Sequence, residues 1–193
     1  MSSFDNVGNF FNTGINLNEN ISFSQQFGKT SIYSSLTRMD DASKIPGAKL
    51  SRTNMMLRAA STFGKNDRWS MDAKIQYINS EAKNRPINGN NTSNTFLTMY
   101  TTPVSLDITD FKNSLDENNN MRWWQKWSGL YPYWAEKYKT DQNTPNRFLM
   151  NASLKYKFTE SLNAEIKAGT DMYFTETESK MYAGGPIEKT GRY

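Results

Sequence analysis

Seven tryptophans and tyrosines fall within sixteen positions, Trp123, Trp124, Trp127, Tyr131, Tyr133, Trp134 and Tyr138, and they are the residues of this chain best suited to holding a ligand or a partner. Flat rings stack on the apolar faces of sugars and anchor interfaces. The same rings also pack well on one another and on whatever carries them, so the residue types leave both readings open. Asp107, Asp110, Asp116 and Glu117 offer the oxygens that calcium takes, but without EF-hand spacing, and read as solvated loop acids. Lys155 and Glu165 project from mid-strand among polar neighbours, which suits the lining of a polar wall. The chain has no histidine and no cysteine, which removes the commonest general base, thiolate metal sites and disulfides. No catalytic residue, metal or cofactor is expected, and the protein is not read as an enzyme.

The stretch from Arg147 to Thr175 shows what carries these residues. Its first limb sets Phe148, Met150, Ala152, Leu154, Tyr156 and Phe158 on one side, with Asn151, Ser153, Lys155 and Lys157 among the residues between them. After the link Thr159-Glu160-Ser161, the second limb sends Leu162, Ala164, Ile166, Ala168, Met172 and Phe174 one way and Asn163, Glu165, Lys167 and Asp171 the other. Period two is the mark of a strand. Each limb runs for about 11 residues, beyond the ~5–6 of soluble sheets and in the range of ~9–11 that crosses a bilayer. Phe148 and Phe158 stand roughly 25 Å apart along the membrane normal, taking ~3.3 Å per residue and a tilt of ~40°, which is the height of an outer-membrane barrel's apolar band. The alternation predicts a hairpin whose even-numbered residues face lipid. Its short link predicts a register with Phe158 opposite Leu162, Tyr156 opposite Ala164 and Lys155 opposite Glu165. A soluble sheet that buries one face would alternate in the same way.

With 193 residues, 36% of them hydrophobic, and a mean hydropathy of −0.78, the chain is too polar for a helical membrane protein. It has no run of about 18 apolar residues, and Met1-Ser2-Ser3-Phe4-Asp5 lacks the basic start and apolar stretch of a signal peptide, so an export signal is expected outside this chain. The net charge of +4 and isoelectric point near 9.1 are not gathered into a patch. From Ser80 to Asn146 seven basic residues meet seven acidic ones, so nucleic acid is not an expected partner.

Other strands follow the same pattern. Ile15, Leu17, Ile21 and Phe23 alternate with Asn16, Asn18, Ser22 and Ser24, and the link Gln26-Phe27-Gly28-Lys29 leads to a less regular strand from Ser31 to Asp40. After Ile45-Pro46-Gly47, a turn signature, Met55, Leu57, Ala59 and Phe63 mark a third strand and Gly64-Lys65-Asn66-Asp67 a short link. Trp69, Met71, Ala73, Ile75 and Tyr77 form the fourth, again closed by an aromatic at each end. The long insertion from Ser80 to Asn146 contains Pro86, Asn88-Gly89 and Pro103. Within it a helix is expected from Asn120 to Gly129 and another from Pro132 to Tyr138. Beyond Thr175 the chain passes through Gly184-Gly185-Pro186 and ends without a closing strand. Links after the first, third and fifth strands are short and those after the second and fourth are long, the asymmetry of outer-membrane barrels. The fold class expected is all-β: antiparallel up-and-down strands forming part of a large transmembrane β-barrel, with one long loop containing short helices.

Several motifs resemble the SusC/RagA-type TonB-dependent transporters of the outer membrane of Bacteroidetes-like bacteria. Phe10-Phe11-Asn12-Thr13-Gly14 is similar to that family's Phe-Phe-x-Thr-Gly entry, and Tyr33-Ser34-Ser35 and Leu50-Ser51-Arg52-Thr53-Asn54 to its next strand and the Arg-x-Asn opening that follows. Pro132-Tyr133-Trp134 with Arg147-Phe148 resembles its Asn-Pro-Tyr-Trp loop, Gly169-Thr170-Asp171-Met172-Tyr173 its Gly-x-Asp-x-Tyr strand, and Gly191-Arg192-Tyr193 a later Gly-x-Tyr. Two places depart from the pattern: Gln25-Gln26 stands where a Gly-Gly pair is common, and Tyr131 where the loop usually has asparagine. The resemblance implies about six strands of a barrel of about 22, with the plug and the remaining strands elsewhere. It also implies a SusD-like surface lipoprotein, TonB and the lipid bilayer as partners, and an oligosaccharide or peptide as cargo in the outer membrane. The alternative is a soluble all-β module that holds carbohydrate with the aromatic loop.

Overall fold

The computed structural model describes residues 3–87, 89, 94–125 and 130–185; Asn88, Trp127, Gly129, Pro186 and Gly191-Arg192-Tyr193 lie outside the described residues. Six strands form a single antiparallel sheet in chain order: β1 (Ile15–Phe27), β2 (Thr30–Ala42), β3 (Lys49–Phe63), β4 (Trp69–Lys83), β5 (Lys139–Lys157) and β6 (Asn163–Met181). Each strand pairs with its neighbours in sequence, an up-and-down meander. Gly28 and Lys29 turn β1 into β2, with Gly28 at φ 57°, a left-handed value that glycine adopts without a Cβ clash. The links at 28–29, 64–68 and 158–162 lie at one end, and those at 43–48 and 84–138 at the other.

The strands are longer than their alternation indicates, and the long connection is shorter. β4 continues past Tyr77 to Lys83 and β5 begins at Lys139, so the link expected over Ser80 to Asn146 spans 84–138. The physical reason is that the added segments, such as Asn79 to Lys83 and Thr140 to Asn146, are polar on both sides and carry no period-two contrast. Backbone pairing makes them strand, together with cross-strand side-chain bonds such as those from Arg52 to Ser80 and from Gln142 to Glu81. Pro145 sits within β5 opposite Thr175. Lacking an N–H, it coincides with an interruption of the β4–β5 ladder, which pairs Asn79 with Asn146 and resumes at Ala82 with Asn143 in the same register.

The core lies at the long-link end and not in the sheet. Helix α1 (Asn6–Phe10), α2 (Thr95–Thr101) and α3 (Pro132–Tyr138) gather there with a 3-10 turn at Ile108–Phe111. Phe10, Met99, Ile108, Leu130, Tyr131 and Trp134 form its buried cluster. Asn6 ties the pieces together. Its Nδ2 donates to the carbonyls of Leu106 (2.8 Å) and Pro103 (3.3 Å), while its Oδ1 accepts from the Ile108 N–H at 3.0 Å.

The helix expected from Asn120 to Gly129 is not formed over its described part. Met121 instead bridges to Leu115 as an isolated β pair, and Asp116 Oδ1 accepts the N–H groups of Asn118 and Asn120, which favours a turn over a helix. The segment before β1 also differs from a plain strand entry: Phe10 ends α1 and enters the buried cluster.

Candidate functional site

Register resolves the sheet into two faces. On one, successive rows across the strands read Ile21, Leu36, Met55, Tyr77, Phe148, Met172; then Phe23, Ser34, Leu57, Ile75, Met150, Thr170; then Gln25, Ile32, Ala59, Ala73, Ala152, Ala168; then Phe27, Thr30, Ser61, Met71, Leu154, Ile166. The even-numbered hairpin residues thus continue an apolar band across all six strands. Its side chains are uncovered: Ile166 is 75% exposed, Ile21 73% and Ile75 51%. Rings bound the band. At its lower edge Phe63, Trp69, Tyr156 and Phe158 touch in series, with centroids 6.3, 4.6 and 4.7 Å apart, and at its upper edge Tyr77 and Phe148 are 4.6 Å apart. Tyr77 also donates its hydroxyl to Asn146 Oδ1 at 2.7 Å, an apolar body with a polar tip at an edge. Above this edge the same face turns polar, with Arg38, Asp40, Lys49, Glu81 and Lys83.

The opposite face is a largely polar wall, with Met39, Met56, Ile78, Leu149 and Tyr173 set among its polar residues. β1 lines it with Asn16, Asn18, Asn20, Ser22 and Ser24, and β3 to β6 with charges, where Arg58 meets Asp72 and Arg147 meets Asp171, each at 2.5 Å. These contacts give physical content to short motifs. Asp171 fixes the Arg147 guanidinium through both Nε and Nη2, and Gly169 leaves room for Asn151, whose Oδ1 would lie 2.7 Å from an added Cβ. Arg52 donates to Ser80 Oγ at 3.1 Å, and Asn54 accepts from Gln76 at 2.9 Å. Lys155 lies directly opposite Glu165, and Tyr156 opposite Ala164, as the link length implies. The Glu165 carboxylate contacts Lys167, two residues along its own strand, at 3.2 Å. The pair fixes the register without forming a cross-strand bridge.

The aromatic loop is largely interior. Trp134 and Tyr131 are fully buried. Trp123 stacks on Tyr131 with centroids 4.2 Å apart and planes at 21°, Tyr133 meets both Tyr131 and Phe10 edge-on, and Tyr138 lies 5.6 Å from Trp134. Trp124 touches Trp123 and is 42% exposed, so of the described rings among the expected seven it is the one most open to a ligand. Burial pushes the Tyr131 and Tyr133 hydroxyls above the ordinary phenol range, so both stay neutral donors. Burial likewise raises the carboxyl of Glu136, which packs against Gly47, a residue at φ 74° with no space for a Cβ. The Asp107 carboxylate accepts from the N–H (2.8 Å) and hydroxyl (2.7 Å) of Thr109, bonds that hold it below the usual carboxylate range. Asp107 and Asp116 thus use their oxygens to cap backbone, and no group of three or more potential metal ligands gathers among the described residues. Asn6 and Phe10, which hold the loop in place, carry no periodic signal in the sequence; only the Phe-Phe-x-Thr-Gly motif points to Phe10.

A one-layer sheet with an uncovered apolar band on one side and an ion-paired wall on the other is the fold of a barrel-wall segment, and no described helix is long and apolar enough to cross a membrane. Among solved structures, the chain is similar to the RagAB peptide importer in its closed-closed state, with a TM-score of 0.72 and 20% identity over 97% of this chain. It spans 21% of the length of that importer's chain. No protein-family description and no curated protein matches it by sequence.

Proposed function

We propose that this chain is a wall and mouth segment of an outer-membrane importer of glycans or peptides, belonging with the SusC/RagA-type TonB-dependent transporters and performing no chemistry of its own. The carrying observation is the apolar band, uncovered and edged by rings at both limits. In water that surface is unfavourable at about 25 cal/mol per Å², whereas acyl chains cover it without further protein. The opposite wall then faces a polar lumen. The loop at 84–138 stands at the long-link end, the extracellular end in such barrels. There the SusD-like lipoprotein and the cargo would meet it, while TonB would act through another part of the transporter. The similarity in fold to the peptide importer supports this reading. A soluble carbohydrate-binding module is disfavoured by the same band, which such a module would have to cover.

The test is whole-cell uptake in the native host. Removing the gene should abolish accumulation of the transported oligosaccharide or peptide, and protein from the outer-membrane fraction should need detergent to stay dispersed. A protein that is monomeric in plain buffer, with uptake intact in its absence, would contradict the proposal.

A further inference from the structure

The positive surplus that looks dispersed along the sequence is collected on the inward, polar wall, where register fixes the height of every charge. In the half toward the long links, Arg52, Lys139 and Arg147 stand against Asp41, Asp141 and Asp171, and the charges balance. In the half toward the short links, from the row of Arg58, Lys74 and Asn151 onward, Arg58, Lys74, Lys155, Lys157 and Lys167 stand against Asp72 and Glu165 alone. At those heights β1 and β2 add Ser24, Gln26, Ser31 and Tyr33 and no charge. Both carboxylates are engaged. Asp72 is held by Arg58 through Nε and Nη2, and Glu165 contacts Lys167 at 3.2 Å. Among the described residues Lys74, Lys155 and Lys157 are left without an ion pair. Lys155 and Lys157 are exposed and Lys74 is half-buried. Lys74 is level with Asn151, six residues from Lys157, so the three lysines span roughly 20 Å of wall at ~3.3 Å per residue.

We infer that this part of the inward wall is a cationic track for an extended solute carrying several carboxylates, an acidic peptide or a uronic-acid oligosaccharide. The inference rests on the transporter reading above and narrows its cargo. A wall that is balanced near the loop and positive toward the short links attracts an anion along the strands in that direction. The residue types favour a passing solute over a permanent protein partner. Arg58 and Arg147 are each locked on a carboxylate of the wall itself by two nitrogens. The unpaired cations are all lysines, compact and strongly hydrated point charges on flexible stems, which attract an anion without demanding one fixed geometry. A neutral glycan would leave them unused.

Full-length protein in detergent micelles can be titrated calorimetrically at low salt with tetraglutamate and tetragalacturonate, each beside its neutral counterpart, tetraglutamine or the methyl-esterified tetragalacturonate. At least one acidic probe should bind more tightly than its neutral counterpart, and high salt should erase the difference. Taking about 3-fold for each exposed charge contact, K74Q/K155Q/K157Q should weaken the acidic probe by about 30-fold and leave the neutral one unchanged. K49Q/K83Q, which removes two lysines of the outward face, should alter neither. Preference for tetraglutamate assigns the carboxylates to a peptide and preference for tetragalacturonate to an oligosaccharide, and either supports the track. Equal binding of acidic and neutral probes, or an acidic preference that survives K74Q/K155Q/K157Q, would overturn it. So would failure of Lys74, Lys155 and Lys157 to react with a water-soluble acylating reagent when no solute is present, which would show that another part of the transporter covers them. Protein that needs detergent but shows no lysine-dependent preference fails this inference alone. Protein that stays dispersed in plain buffer fails the transporter reading with it.

Discussion

At the scale of single residues the loop is held by a few side chains. Tyr131→Ala removes a fully buried ring that touches Trp123, Tyr133 and Phe111, and should destabilise the loop by about 3–5 kcal/mol. Trp134→Phe should cost far less, within about 1.5 kcal/mol, because among the described residues the buried indole N–H has no hydrogen-bond partner and its loss relieves an unpaired donor. Protection of the amides of 94–138 in hydrogen exchange measures both. Two carboxyls give the loop opposite pH responses. The Glu136 pKa is raised by burial, so the folded form binds its proton more readily than the unfolded chain does, and stability falls as pH climbs from the ordinary carboxylate value through the raised one. The Asp107 pKa is lowered by its bonds to Thr109, so its stabilisation is in place above the ordinary value and is lost as pH falls through the lowered one. Glu136→Gln should therefore flatten the upper limb of a stability–pH profile and Asp107→Asn the acid limb. Loop unfolding followed by tryptophan fluorescence separates them. An unchanged profile in both variants would show that neither group is held as described.

At the scale of elements, the apolar band should be intolerant of charge at mid-height, where Ala59, Ala73, Ala152 and Ala168 form one row across four strands. Ala152→Arg or Ala168→Arg should cost about 2–4 kcal/mol in a bilayer. Lys167→Ala, which removes an exposed contact with Glu165, should change stability by less than about 0.5 kcal/mol. Urea unfolding of the reconstituted protein gives both values, and equal tolerance would remove the lipid-facing assignment. This face was legible in the sequence wherever one side of a strand is apolar and the other polar, as in Phe148 to Phe158 and Trp69 to Tyr77. The register of the last hairpin was legible for the same reason, since its link is short enough to admit one pairing. The upper strand ends were not, because Asn79 to Lys83 and Thr140 to Asn146 are mostly polar on both sides, even where Ser80 and Ala82 are buried. The loop's architecture was hidden for another reason: its contacts span large sequence separations, as from Asn6 to Leu106 or Phe10 to Tyr133. A count of Trp and Tyr located the cluster and could not say that Tyr131 and Trp134 would turn inward.

At the scale of the whole molecule, the account is that one sheet sorts two solvents, acyl chains on the even-numbered face of the last hairpin and water on the odd-numbered one, while a compact aromatic loop stands over one end. A wall of this kind has no core of its own between its faces, which is why its buried cluster lies in the loop. Because this chain contains no cysteine, single cysteines introduced into it meet no native thiol here, and any thiol elsewhere in the full-length protein is first replaced by serine. The most direct measurement places a spin label at each position from 148 to 157 in turn, in full-length protein reconstituted in lipid vesicles, and compares collision with dissolved oxygen, which concentrates in the bilayer, against a water-soluble nickel chelate. The account predicts alternation with period two: labels at 150, 152 and 154 relaxed by oxygen, and those at 151, 153 and 155 by the chelate. Uniform access along the strand, or the same alternation with the two faces exchanged, would contradict it.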